Sequence, residues 1–208
     1  MHIIITDDHA IVRRGLIQLL LEEFPFAIID EANDAEELVQ KITTGKWDVA
    51  ICDISMPGRS GIDVLQQIKK TVPAMPVLIM SMYPEDQYAI RAFRAGASGY
   101  LTKDTIHNNL IKAVQTVLSG KKFITSTIAE KMVSLLDDEG GKQPHENLSA
   151  REFEVFKLLV AGKSVSDIAE MLVISVTTVS TYRYRILEKM SMKSNADLIR
   201  YALEKKLG

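Results

Sequence analysis

The sequence predicts an α/β fold, a doubly wound parallel sheet of five strands, followed by a small all-α domain of four helices. Short β-branched runs alternate with helical patterns through the first 120 residues, and after residue 146 the patterns are helical only. The length of 208 residues is enough for two small domains. The composition, 47% hydrophobic and 25% charged, is typical of a soluble globular chain and excludes a disordered polyelectrolyte, a collagen-like fibre and a disulfide scaffold.

Five short apolar runs predict the strands. They lack the polar alternation of a half-exposed strand, so we expect both faces of the sheet to be covered. Between them, apolar residues recur at spacings of three and four, which predicts crossover helices and places the functional crevice beyond the carboxyl ends of the strands. The predicted strands are residues 3–6, 27–30, 49–52, 77–80 and 99–101, and the helical stretches are 12–20, 38–42, 64–68, 88–93 and 110–118.

The pattern changes after the fifth strand–helix unit. We predict a first domain over residues 1–120, a linker over 121–146 and a helical domain over 147–208. The linker has a short apolar helix at 128–136 and a polar segment at 137–144. Four serines, each followed three residues later by a carboxylate or a hydroxyl, predict helix N-caps. The pairs are Ser149/Glu152, Ser164/Asp167, Ser175/Thr178 and Ser194/Asp197, and Gly162 stands at the expected C-cap of the first helix.

Charge and cysteine usage limit the possible partners. The net charge is −2, with +2 on residues 146–208 and −4 on residues 1–145, so binding to nucleic acid must be local. The single cysteine, Cys52, cannot form an intramolecular disulfide, which fits a reducing compartment. No signal peptide and no bilayer-length apolar run is found, so we expect a cytoplasmic protein without membrane contact.

Polar residues follow four of the predicted strands. Asp7 and Asp8 come after the first strand and Asp53 after the third, and because these strands are neighbours in a doubly wound sheet, the carboxylates should meet at one edge. Their repulsion is costly unless a cation neutralises them, and Mg²⁺ prefers such oxygen ligands. Ser81 ends the fourth strand and Lys103 follows the fifth. The set predicts a site that takes up a phosphoryl group on aspartate.

Residues 1–120 resemble the receiver domain of two-component response regulators. The matching motifs are Ile4-Ile5-Thr6-Asp7-Asp8-His9, Asp53-Ile54-Ser55-Met56-Pro57-Gly58, Ser81, Ala95-Gly96-Ala97 and Gly99-Tyr100-Leu101-Thr102-Lys103-Asp104. The resemblance implies a regulator and not an enzyme, one that accepts a phosphoryl group on Asp53 from a sensor histidine kinase or autophosphorylates from a phosphodonor. It also implies that Asp7, Asp8, Asp53 and the backbone carbonyl of Ser55 hold Mg²⁺.

The same resemblance assigns a switch. Lys103 would pair with the phosphoryl oxygens, the Ser81 hydroxyl would move toward the phosphate, and the rotamer of Tyr100 would follow Ser81. Asp104 stands where many receivers carry proline, a departure that is common in the NarL/FixJ subclass. Phosphorylation or DNA binding is expected to favour a homodimer.

The last 60 residues resemble LuxR-type helix-turn-helix domains. The matching motifs are Leu148-Ser149-Ala150-Arg151-Glu152-Phe153-Glu154-Val155, Ala161-Gly162-Lys163-Ser164, Asp167-Ile168-Ala169 and Ile174-Ser175-Val176-Thr177-Thr178-Val179. With the receiver motifs, they identify the chain as a member of the NarL/FixJ class of response regulators. The class implies a phosphorylation-dependent transcriptional regulator whose helix at residues 176–190 binds double-stranded promoter DNA, as a dimer.

The helix at residues 176–190 has two faces. Its apolar face is predicted to be core and consists of Val176, Val179, Ile186, Leu187 and Met190. Hydroxyls, a phenol and guanidinium groups on the other side suit groove edges and phosphates. Ser180 and Tyr182 stand where most LuxR-type helices carry a basic residue and a histidine. The candidate DNA contacts are Thr177, Thr178, Ser180, Thr181, Arg183, Tyr184, Arg185 and Lys189.

Three other function classes can be compared with these residues. A phosphatase or dehalogenase with an aspartyl intermediate needs a second carboxylate two residues after the nucleophile, where this sequence has Ser55. A small-molecule-sensing quorum regulator needs an apolar ligand pocket in place of a carboxylate-lined sheet. An adaptor whose helical domain binds protein and not DNA stays open, because a domain charge of +2 is a weak electrostatic signal.

Overall fold

The computed structural model describes residues 1–137 and 143–207. The chain divides into two compact units, Met1–Asp137 and Asp138–Gly208. Most of the predicted polar segment at 137–144 lies outside the described residues. Within the described ranges, none of the helices combines the length and the apolar character needed to cross a lipid bilayer.

The first unit is built on a parallel sheet in the order β2-β1-β3-β4-β5. This order confirms the predicted doubly wound sheet of five strands, and it places the carboxyl ends of β1, β3, β4 and β5 side by side. The strands are β1 His2–Thr6, β2 Ile28–Ala32, β3 Val49–Asp53, β4 Val77–Ser81 and β5 Gly99–Thr102.

Helices cover both faces of this sheet. One face carries α1 and α5, which pack on each other and on a core that includes Ile3, Ile51 and Leu78. The inner strands β3 and β4 are fully buried, as their unbroken apolar runs predict. The helices of this unit are α1 Ala10–Glu23, α2 Ala35–Thr44, α3 Gly61–Thr71, α4 Glu85–Arg94, α5 Ile106–Leu118 and α6 Ser126–Asp137.

The edge strand β2 differs from its prediction in position and in burial. It spans Ile28–Ala32 and not residues 27–30. Its pairing with β1 begins with Ile28 opposite His2 and ends with Ala32 opposite Thr6. Ile28 is exposed, and Asp30 accepts a hydrogen bond from Lys41 Nζ at 3.1 Å. The edge position tolerates these residues because only one side of the strand is paired.

The helix α6 belongs to the first unit. Phe123 is buried and its amide donates to the carbonyl of Ser98, while Ile128 is fully buried and α6 packs against α4. The first unit therefore extends to Asp137 and includes part of the stretch predicted as a linker, because these apolar side chains are buried against the first unit.

The second unit contains four α-helices among its described residues, after a short 3-10 turn at Pro144–Asn147. All four predicted serines are N-caps, three of them in complete capping boxes, and Gly162 has a φ of +80° at the end of the first helix. Here α7 packs on α9 and α10, and α8 packs on α9. The bounds are α7 Ala150–Val160, α8 Val165–Met171, α9 Val176–Lys189 and α10 Asn195–Glu204.

Candidate functional site

The parallel register brings the ends of four strands to one edge. Asp53 and Ser81 are the last residues of β3 and β4, and Asp53 lies opposite Met80. Lys103 follows β5, and its amide donates to the carbonyl of Ser81 at 2.8 Å. The structure therefore gathers the side chains that the sequence placed after separate strands.

The ammonium of Lys103 bridges two buried carboxylates. Its Nζ lies 2.6 Å from Asp7 Oδ2 and 2.7 Å from Asp53 Oδ2, and both aspartates are at most 1% exposed. Burial lowers the pKa of Lys103, but the hydrogen bonds to Asp53 and Asp7 outweigh it and raise this pKa. Burial raises the pKa of Asp53 to about 6, against the opposing effect of Lys103. Because two buried carboxylates share one ammonium, ionisation of Asp53 carries a cost in free energy.

This cost predicts that Asp53→Asn stabilises the protein in magnesium-free buffer. Because the pKa of Asp53 is about 6 when folded and near 3.8 in its ordinary environment, its contribution to stability is fully present below pH 4 and lost as pH rises through 6. At pH 7.5, we expect the free energy of unfolding of the variant to exceed that of the wild type by about 3 kcal/mol. Urea titrations between pH 4 and pH 7.5 should show this difference shrinking toward acid pH. A difference independent of pH would contradict the costly ionisation of Asp53.

Asp8 and His9 complete the acidic cluster above the sheet edge. His9 Nδ1 lies 2.7 Å from Asp8 Oδ1 and 3.2 Å from Asp7 Oδ1, and the ligand atoms of Asp7, Asp8 and His9 lie within 4.8 Å of one another. His9 was missed in the sequence analysis, although it stands in the quoted motif. With Lys103 counted, three ionised carboxylates leave a charge of −2, which fits a divalent cation with oxygen ligands.

Ser55 contacts Asp53 through its backbone. Its amide donates to Asp53 Oδ1 at 3.2 Å. The predicted part of the Ser55 carbonyl in holding Mg²⁺ stays a prediction.

Ser81 and Tyr100 form a buried hydrogen-bonded group. Ser81 Oγ accepts from the amide of Tyr83 at 3.0 Å, and Tyr100 Oη donates to the carbonyl of Tyr83 at 2.8 Å. Burial raises the pKa of the Tyr100 phenol, against the opposing effect of the Ser81 side chain. The two predicted switch residues, on β4 and β5, thus both bond Tyr83 on the loop that leads into α4.

Two neighbours of Asp53 shape its surroundings without charge. A Cβ atom on Gly61 would lie 1.9 Å from the carbonyl oxygen of Asp53, so only glycine allows α3 to begin this close to β3. This glycine was not among the site residues predicted from the sequence. Burial raises the pKa of the Cys52 thiol, which keeps it neutral and consistent with a packing role.

The helix α9 exposes part of the predicted DNA-binding set. Tyr184 is 66% exposed, and Arg185 makes no hydrogen bond or ion pair within the described residues. Thr181 Oγ1 donates to the carbonyl of Thr177 one turn earlier, as hydroxyls on a helix commonly do. The exposed members of the predicted set are Thr177, Ser180, Thr181, Tyr184, Arg185 and Lys189.

Three predicted DNA contacts have partners inside the helical unit. Thr178 takes part in the N-cap with Ser175, and Arg183 Nε donates to Asn195 Oδ1 at 2.7 Å. Lys189 Nζ lies 2.6 Å from Glu152 Oε2, so this lysine ties α9 to α7.

The apolar face of α9 begins later than the sequence suggested. The prediction that Val176 belongs to the core is wrong: it is 50% exposed, since it opens the first turn and burial starts at Val179. The side chain of Val176 is therefore partly exposed in the first turn of α9.

Comparison with known proteins connects both units to bacterial regulators. Residues 3–115 match the family described as "Response regulator receiver domain", and residues 146–202 match "Bacterial regulatory proteins, luxR family". The oxygen regulatory protein NreC of Staphylococcus haemolyticus is 36% identical over 214 residues, covering 100% of this chain and 99% of NreC. RcsB from Salmonella enterica serovar Typhimurium, bound to promoter P1flhDC in the presence of phosphomimetic BeF3⁻, is 26% identical with a TM-score of 0.60 over 97% of each chain. A structure of two RcsB dimers bound to two parallel DNAs is 27% identical, with a TM-score of 0.59 over 97% of each chain.

Proposed function

Because this chain belongs to the response regulators that join a receiver domain to a LuxR-type DNA-binding domain, we propose that phosphorylation of Asp53 by a sensor histidine kinase controls its binding to promoter DNA. The family membership confirms a regulator of transcription that binds DNA, and it disfavours the protein-binding adaptor. The observation that carries the proposal for Asp53 is its buried contact with Lys103, which also contacts Asp7.

The geometry around Asp53 suits phosphoryl transfer. A carboxylate oxygen of Asp53 attacks the phosphorus of a phosphohistidine; the new O–P bond forms as the N–P bond breaks, and the electron pair stays on the imidazole. Lys103 balances charge on the phosphoryl oxygens from its position 2.7 Å from Asp53 Oδ2. When bound by Asp7, Asp8, Asp53 and the Ser55 carbonyl, Mg²⁺ supplies further neutralisation of those oxygens. A small phosphodonor can replace the kinase in this reaction.

To control assembly, the phosphorylated site must be connected to the protein surface that forms the dimer. The phosphoryl group carries roughly −1.5 to −2 charges in place of the single charge of the carboxylate, and the Ser81 hydroxyl responds to it together with Tyr100. Both residues bond Tyr83, at the entrance to α4. By similarity to the RcsB dimers on DNA, we propose that the phosphorylated protein binds its promoter as a homodimer in the cytoplasm.

The exposed face of α9 is the proposed groove-reading surface. Arg183 and Lys189 are held by Asn195 and Glu152, so among the three cations of α9, Arg185 is the one without a bond in the described residues. Tyr184 stands beside it with its ring in solvent. We therefore assign sequence reading first to Arg185 and Tyr184, with the hydroxyls of Thr177, Ser180 and Thr181 contributing.

Selection of DNA sites from a random pool, using protein treated with Mg²⁺ and a phosphodonor, tests this function. Treatment should tighten binding to the selected site, and Arg185→Ala should weaken it by ~1–3 kcal/mol, or about 5- to 150-fold. If Arg185 reads a base, the preference at one base pair relaxes; if it contacts a phosphate, all sequences weaken alike and the salt slope falls by about one. Arg14→Ala, an exposed arginine of the receiver unit, is the charge-matched control and should bind as wild type does.

Two results would contradict the assignment. If Arg185→Ala and Tyr184→Ala both bind DNA as tightly as the wild type does, α9 is not the surface that contacts the DNA groove. A helical unit that binds no DNA at any salt concentration would favour the adaptor, because phosphate contacts impose a steep dependence on salt.

A further inference from the structure

A nearly buried arginine holds the loop that carries Asp7. Arg13 lies on α1 and is 8% exposed. Its Nη1 donates to the backbone carbonyl of Asp7 at 2.6 Å, its Nε to Glu31 Oε2 at 2.6 Å and its Nη2 to Asn33 Oδ1 at 2.8 Å. One guanidinium therefore joins the loop after β1 to the loop after β2.

The partners of Arg13 are themselves held in place. The amide and the Nδ2 of Asn33 both donate to Glu37 Oε2, at 2.8 and 3.0 Å. This fixes the orientation of the Asn33 side chain, so that Oδ1 faces the guanidinium. Lys41 Nζ donates to the carbonyl of Glu31 at 2.6 Å and lies 3.1 Å from Glu37 Oε1. The loop after β2 is thus a fixed support for Arg13.

Local helix stability does not account for an arginine at this position. Arg13 is the fourth residue of α1, where the helix dipole disfavours a cation, and the first turn holds no acidic residue. Burying a guanidinium is also costly unless its donors are satisfied. Three donors are satisfied here, and one of them fixes the backbone of Asp7.

The carboxylate and the backbone carbonyl of Asp7 are therefore fixed by different groups. Its carboxylate contacts Lys103 Nζ through Oδ2 and accepts the His9 amide through Oδ1 at 2.8 Å, while its carbonyl is held by Arg13. Loss of the guanidinium would free the backbone that positions this carboxylate. Asp8 follows directly in the chain, so its placement depends on the same backbone.

We propose that Arg13 is a positioning residue for the divalent-cation site formed by Asp7 and Asp8. It touches neither the cation nor the phosphoryl group; it acts through the Asp7 carbonyl. The inference rests on the proposed function of this acidic edge, but its test does not need phosphorylation.

Calorimetric titration of the full-length protein with Mg²⁺, without a phosphodonor, measures the effect directly. Arg13→Met keeps much of the side-chain length and removes the donors, and we expect its Mg²⁺ affinity to fall roughly 10-fold. Arg14→Met, the adjacent exposed arginine, makes the same change of charge and should bind Mg²⁺ as wild type does. With a phosphodonor added, the Mg²⁺ concentration for half-maximal labelling should rise for Arg13→Met, while the rate at saturating Mg²⁺ approaches that of the wild type.

A second variant covers the case in which Arg13→Met does not fold. Asn33→Ala changes an exposed residue and removes one of the three bonds, so Mg²⁺ affinity should fall in the same direction by a smaller factor. An unchanged Mg²⁺ affinity in folded Arg13→Met, even with a lower free energy of unfolding, would overturn the inference; for a misfolded variant, an unchanged affinity in Asn33→Ala would do so. A wild-type protein that binds Mg²⁺ but takes up no phosphoryl group would instead count against the proposed function alone.

Discussion

Asp53→Asn is expected to take up no phosphoryl group from a small phosphodonor and Mg²⁺, whereas the wild type gains one. An amide is not a nucleophile toward phosphorus, and Asp53 is the carboxylate that ends β3 beside Lys103. Intact-mass analysis detects the added group, which should be stable in acid and labile in base, as an acyl phosphate is. The loss should be complete and not partial.

The neighbour Cys52 supplies the matched control. Its thiol is buried, which indicates a packing role, so Cys52→Ala should take up the phosphoryl group nearly as the wild type does. Because Asp53→Asn is also expected to be more stable than the wild type at pH 7.5, its failure to label cannot be attributed to unfolding. Equal labelling of Asp53→Asn and the wild type would show that another residue accepts the group.

Much of the acidic edge could be predicted because strand ends are visible in the sequence. Asp53 and Ser81 follow apolar runs directly, and a parallel sheet brings such ends together whatever the details of packing. The N-cap serines were equally predictable, since a cap depends on residues three positions apart.

Contacts between separate helices, strands and loops could not be predicted in this way, because they depend on how these elements pack against one another. The bond from Arg13 to Asn33 joins residues 20 positions apart and requires α1 and the loop after β2 to meet. Lys189 looked free on the polar side of its helix, but Glu152, 37 positions away, contacts it. The surface that α6 covers could not be predicted for a related reason, because its periodicity shows that the helix is amphipathic but not which surface it packs against.

Buried charges on α7 set the geometry of the helical unit. Arg151 is 2% exposed; its Nη1 lies 2.6 Å from Glu154 Oε2, and its Nη2 donates to the carbonyl of Leu172 at 3.1 Å. Leu172 is the C-cap of α8, so Arg151 holds the turn that leads into α9. At the other end of α9, Lys189 contacts Glu152 of the same α7. One hydrogen bond and one ion pair from α7 thus hold the two ends of α9 in place.

Removing the buried guanidinium should therefore destabilise the helical unit strongly. Arg151→Met keeps much of the buried volume but leaves Glu154 without the cation 2.6 Å away, and we expect the free energy of unfolding of this unit to fall by about 3–5 kcal/mol. Urea unfolding followed by far-UV circular dichroism reports the loss. Fluorescence of Trp47, in the receiver unit, provides an internal control: its unfolding midpoint should not shift.

In the double variant Arg151→Met/Glu154→Leu, much of the stability of the helical unit should return, because replacing a buried ion pair by apolar groups is often neutral. A single variant as stable as the wild type would show that the buried pair does not hold the unit together, and wild-type DNA affinity in a folded Arg151→Met protein would show that it does not orient α9.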